Sequence, residues 1–79
     1  MPGIKTISGL IMFAEAKIAS GDAETAVSLY LRAAKQSRNP QVAERAAFLA
    51  RQAGTGNQIQ KALSRWREID PNSHGPYEA

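Results

Sequence analysis

Residues 14–34, AEAKIASGDAETAVSLYLRAA, read as two amphipathic helices joined by a tight corner at Gly21 and Asp22. Glycine reaches the left-handed backbone that ends one helix, and aspartate is a good N-cap for the next. So short a corner forces the helices back on each other as an antiparallel hairpin. Small residues stand wherever the two must touch, and no reactive group lies in the stretch.

Outward from the corner, the first helix is expected from Lys5 or Thr6 to Ser20. Ile7, Leu10, Ile11, Ala14 and Ile18 keep the i, i+3, i+4, i+7 spacing of one buried face. Met12, Phe13, Ala16 and Ala19 widen that stripe, so this helix is expected to want more than one neighbour. The second helix runs to about Gln36, with Ala23, Ala26, Val27, Tyr30, Ala33 and Ala34 inward. Lys35 and Arg38 near its end suit the helix dipole.

Asn39-Pro40 is an N-cap followed by proline at the first helical position. Helix three then reaches about Ala53, with Val42, Ala43, Ala46, Ala47, Leu49, Ala50 and Ala53 inward. Gln41, Glu44, Arg45, Phe48, Arg51 and Gln52 fall on its opposite face. Gly54 stops it, Thr55-Gly56-Asn57 reads as loop, and Asn57-x-x-Gln60 as a capping box. Helix four is expected over roughly Gln58 to Ile69, with Ile59, Ala62, Leu63, Trp66 and Ile69 on one stripe. Asp70-Pro71 ends it, since the residue before proline disfavours helix. The helical domain is thus 5–71, with 1–4 and 72–79 as flexible termini.

Composition narrows the class. The chain has 79 residues, enough for one domain, and a domain this short buries only roughly 60% of its unfolded surface. Its 43% hydrophobic content fits a folded chain, and 6% aromatics with many alanines suits close-packed helices. No cysteine is present, which excludes disulfides, thiolate metal sites and a cysteine nucleophile. No apolar run approaches the ~18 residues of a membrane span, so no membrane insertion is expected. The greasy run from Ile7 to Ala14 is too short and too interrupted for a signal peptide.

The four helices form two copies of one hairpin. A shift of 33 places Ala14 on Ala47, Gly21 on Gly54, Ala26 on Ile59 and Tyr30 on Leu63. Leu10 and Phe13 fall on Ala43 and Ala46, all expected to face inward. A second register, a shift of 36 with a longer turn, matches Ala62-x-x-x-Trp66 to Ala26-x-x-x-Tyr30 instead; 33 is preferred because it sets Pro71 correctly after Trp66. A helix-turn-helix unit recurring at this period is the signature of a solenoid.

Ala14, Gly21, Ala26-x-x-x-Tyr30 and Ala33 resemble the tetratricopeptide repeat in spacing. The likeness covers roughly residues 7–72, with repeat one over about 7–38 and repeat two over about 39–71. The second copy departs from the pattern at Ile59 and Trp66. The runs NPQVAERAAFLARQAG and RWREIDP are similar to the early repeats of long cell-envelope tetratricopeptide proteins of Gram-negative bacteria, which implies a location rather than a mechanism. The family likeness implies a groove, lined by the first helix of each repeat, that holds a protein or peptide partner. Carried onto this chain, the contact residues are Ile11, Glu15, Ile18, Glu44, Phe48, Arg51 and Gln52, with Ser8 and Gln41 beside them. Phe48 stands out as a large apolar residue on a polar face, and aromatics dominate binding hot spots.

Other chemistry has little to work with. His74, the only histidine, lies in a Gly/Pro tail with no fixed carboxylate beside it, and general acid–base work needs such partners. Metal spacings and phosphate-binding glycine loops are absent, so no catalytic residue, cofactor or metal is implied. Nucleic-acid binding competes because the pI is near 9.7. Arg32, Lys35 and Arg38 cluster on helix two, and Lys61, Arg65 and Arg67 on helix four. Acids interleave, however, and no basic stripe emerges.

The expected protein is therefore all-α, two antiparallel helix-turn-helix hairpins acting as a non-catalytic protein-interaction module. A small basic nucleic-acid-binding domain and a self-associating segment of a longer array are the alternatives. Two repeats fall short of the ~3 that usually close a solenoid core. The broad apolar surface of helix one is then covered either by the tail around Tyr77 or by homodimerisation through Ile7, Ile11 and Ile18.

Overall fold

The computed structural model describes residues 6–72. The expectations for the termini, for His74 and for a cap around Tyr77 fall almost wholly outside them. Four helices follow in order: α1 (Ile7–Ala19), α2 (Ala23–Gln36), α3 (Pro40–Ala53) and α4 (Gly56–Ile69). Among the described residues there is no strand, and the class is all-α.

Each helix starts where a side chain can satisfy its first free N–H groups. Thr6 accepts from Gly9, Asp22 from Thr25, Asn39 from Gln41 and Thr55 from Gln58. Hydrogen bonds from the Thr25 hydroxyl and backbone N–H hold the Asp22 carboxyl below its usual range. The last start corrects an expectation. Thr55 and Gln58, not Asn57 and Gln60, make the reciprocal capping box, so α4 begins at Gly56 and the turn is shorter than expected. Threonine fits S/T-x-x-E/Q, whereas asparagine at 57 does not.

The two corners end their first helices differently. At the α1–α2 corner the Gly21 N–H donates to Ile18 and the Asp22 N–H to Lys17, with Gly21 at φ 88°. This is the Schellman pairing, and it needs the left-handed glycine. Gly54 instead has extended backbone. A Cβ there would lie 2.6 Å from Gln58 Oε1 and 3.0 Å from the Ala50 backbone, so a side chain would crowd the end of α3 and displace the Gln58 amide.

α1 packs on α2 and α3 on α4, giving two hairpins, and α2 also packs against α3 and α4. Paired helices start or end 33 residues apart: Ile7 and Pro40, Ala23 and Gly56, Gln36 and Ile69. The register of 36, which needs a longer second turn, is thereby removed. The core runs along α2 and α3 through Ala26, Val27, Tyr30, Ala33, Val42, Ala46 and Leu49. Leu29, left out of the expected inner face, is buried because α2 has neighbours on more than one side.

α1 departs from expectation. Ile7, Ile11 and Ile18 are partly buried against the core and keep part of their surface exposed. Phe13 does not face inward like its counterpart Ala46: it is 39% exposed, and Met12 is 72% exposed. The Lys17 ammonium lies over the Phe13 ring, 5.2 Å from its centroid. The stripe is broad because one side of α1 is apolar without being covered by the described residues.

Arg65 joins the hairpins at their far end. Its Nε donates to the Ala34 carbonyl at 2.7 Å, and Nη2 donates to those of Ser37 at 3.0 Å and Lys35 at 3.3 Å. Those carbonyls belong to the unsatisfied end of α2, where positive charge is favoured. Glu68 steadies the guanidinium at 3.3 Å.

Two stability outcomes follow, both read by urea denaturation. Gly21→Ala lowers stability by about 1–2 kcal/mol, the cost of a left-handed L-residue, while Gly56→Ala, with open space around its Cβ, raises it by about 0.5 kcal/mol. Arg65→Met keeps the apolar stem but loses about 1–3 kcal/mol, and Arg65→Lys recovers little because an ammonium cannot fork across three carbonyls.

Candidate functional site

The best-defined polar cluster joins three helices. Glu15 on α1 accepts a hydrogen bond from the Tyr30 hydroxyl on α2, and the same carboxylate oxygen lies 3.7 Å from Arg45 Nε on α3. Tyr30 is a core residue, only 5% exposed, whereas the Glu15 and Arg45 side chains are partly in solvent. The buried hydroxyl needs an acceptor, and Glu15 supplies it from the surface.

Arg45 carries the arrangement outward. Its guanidinium carbon stands 5.7 Å from the centroid of the Phe48 ring, one turn further along α3. This is cation–π distance. Phe48 itself is 50% exposed. Gln41, Glu44, Arg51 and Gln52 surround it on the same exposed face of α3.

The expected contact residues therefore divide. Glu44, Phe48, Arg51 and Gln52 share one exposed helix face, and Glu15 is drawn to its edge through Arg45. Ile11 and Ile18 lie on the core side of α1 and offer only their partly exposed edges. Arg45, which links α1 to Phe48, was not among the expected contacts. A signal existed: folding the chain back at Gly21-Asp22 sets residue 15 level with residue 30, so a carboxylate meets a core tyrosine. The charge that Arg45 adds comes from the second hairpin and has no comparable signal.

Among the described residues no group of three His, Asp or Glu side chains could hold a metal ion. No helix is long and apolar enough to cross a membrane. Trp66 is partly buried against the core, as its place on the α4 stripe implied. Arg65 is committed to the end of α2, which leaves the basic cluster on α4 smaller than its sequence suggests.

The Glu15–Tyr30 contact has a pH signature. Burial chiefly, then the hydrogen bond to Glu15 and its negative charge, push the Tyr30 hydroxyl up to about 12 from 10.0, with Arg45 opposing. The folded chain thus keeps a proton that the unfolded chain loses above pH 10. This contribution to stability is full below pH 10 and disappears as pH rises towards 12. Denaturation midpoints across that range should fall more steeply for the wild-type chain than for Tyr30→Phe.

No family model, curated protein or solved structure matches the chain.

Proposed function

We propose that the chain is a tetratricopeptide-like protein-interaction module whose recognition face is the exposed side of α3 with the adjoining edge of α1. The observation that carries this reading is the presentation of Phe48. A half-exposed aromatic ring stands on a polar face, backed by a guanidinium that a carboxylate and a core tyrosine hold in turn. A ring fixed in this way loses little conformational freedom on binding, which is how rigid aromatic anchors gain affinity.

The surrounding residues suit a peptide rather than a small molecule. Glu44, Arg51 and Gln52 set acceptors and donors along one exposed helix face. An extended or helical segment would set an apolar side chain against Phe48 and make polar contacts on either side. The alanine spacing of α1 and α2 and the period of 33 support the family likeness. Such units stack, so the module fits within a longer array.

Selection of a displayed peptide library on the wild-type chain tests the assignment. Phe48→Ala should weaken the selected peptides about tenfold or more, the loss of at least ~1.4 kcal/mol expected at a hot spot, with an unchanged denaturation midpoint. Peptides that bind both proteins equally would remove Phe48 from the recognition face.

A further inference from the structure

A second surface lies between α2 and α4, and it shares no residue with the face around Phe48. It is a cleft of about 530 Å³, lined on α2 by Leu31, Arg32, Ala34 and Lys35 and on α4 by Lys61 and Arg65, among others. Leu31, partly exposed, gives it an apolar part. Arg65 is held by the α2 carbonyls and Glu68, but among the described residues Arg32, Lys35 and Lys61 make no ion pair.

The charge of this cleft is out of proportion to the rest of the chain. Four cationic side chains and one carboxylate, Glu68, line it, a surplus of three. The formal net charge of the whole chain is +3. The remaining side-chain charges sum to zero, so the surplus lining this cleft equals that of the whole chain. A cleft with a surplus of positive charge and partly apolar walls focuses its field on an incoming anion.

We propose that the α2–α4 cleft docks an acidic amphipathic peptide segment, with an apolar side chain against Leu31 and carboxylates facing Arg32, Lys35 and Lys61. Nucleic acid fits less well. A duplex needs cations spread along a stripe to follow its phosphates, and here they converge on one cleft beside a leucine. This inference does not depend on the function of the Phe48 face.

The test uses a fluorescein-labelled helical peptide with leucines along one side and glutamates flanking them, followed by anisotropy at low salt. The peptide should bind the wild-type chain, weaken as salt rises, and lose about tenfold or more in affinity with Lys61→Glu or Arg32→Glu. Phe48→Ala should leave it unchanged, so failure here is separable from failure of the other face. Both reversed positions are exposed, and a retained denaturation midpoint shows that the fold persists. Absence of binding, or binding indifferent to both reversals, overturns the proposal. Equal affinity for polyglutamate overturns the apolar contact, and tighter binding of duplex DNA overturns the choice of a peptide. Sedimentation showing self-association that Lys61→Glu abolishes assigns the cleft to a second copy and likewise overturns it.

Discussion

The close approach of α2 to its three neighbours is the constraint on which everything else depends. Among the described residues nine of the sixteen buried apolar ones are alanines, so the helices meet through methyl groups rather than long side chains. Alanine costs no side-chain entropy on burial and is the best helix former, yet each removes little apolar area from water. Such a core gains through tight packing and loses sharply if a helix shifts. Larger residues, Leu10, Val27, Tyr30, Leu49 and Leu63, fill the spaces between the alanine contacts.

With so little area per residue, polar ties weigh more than they would in a larger domain. Glu15, Tyr30 and Arg45 connect α1, α2 and α3 near the middle of the bundle, and Arg65 connects α4 to the end of α2. Each tie sets one candidate surface. Arg45 backs the Phe48 ring. Arg65 holds α4 beside α2 and so sets the width of the basic cleft. The scaffold and the surfaces therefore share their anchoring residues, and damage to one of these arginines reaches both.

Much of the architecture was legible in the chain because it rests on local rules. Gly21-Asp22 and Asn39-Pro40 act within a turn or two of themselves, and helical spacing marked the buried faces of α2 and α3 almost residue for residue. The misreadings have physical causes. Asn57 looked like a cap because the better match, Thr55 with Gln58, lies inside what reads as a loop. Phe13 and Leu29 were misplaced in opposite directions, because burial depends on how many neighbours a helix has. Phe48 was recognisable as an apolar residue on a polar face, but the residue that positions it was not.

The sequence by itself determined the four helices, the caps at Asp22 and Asn39, the hairpin corners and the period of 33, since each follows from backbone stereochemistry and contacts between residues near in the chain. Only the tertiary structure decided that Arg45 meets Glu15, that Arg65 is a cap rather than a free charge, and that Arg32 and Lys35 line one cleft with Lys61. Those outcomes join residues some thirty positions apart in the chain. Their meeting depends on the angle and offset at which one hairpin packs on the other, which the summed contacts of the whole core fix and no local pattern encodes.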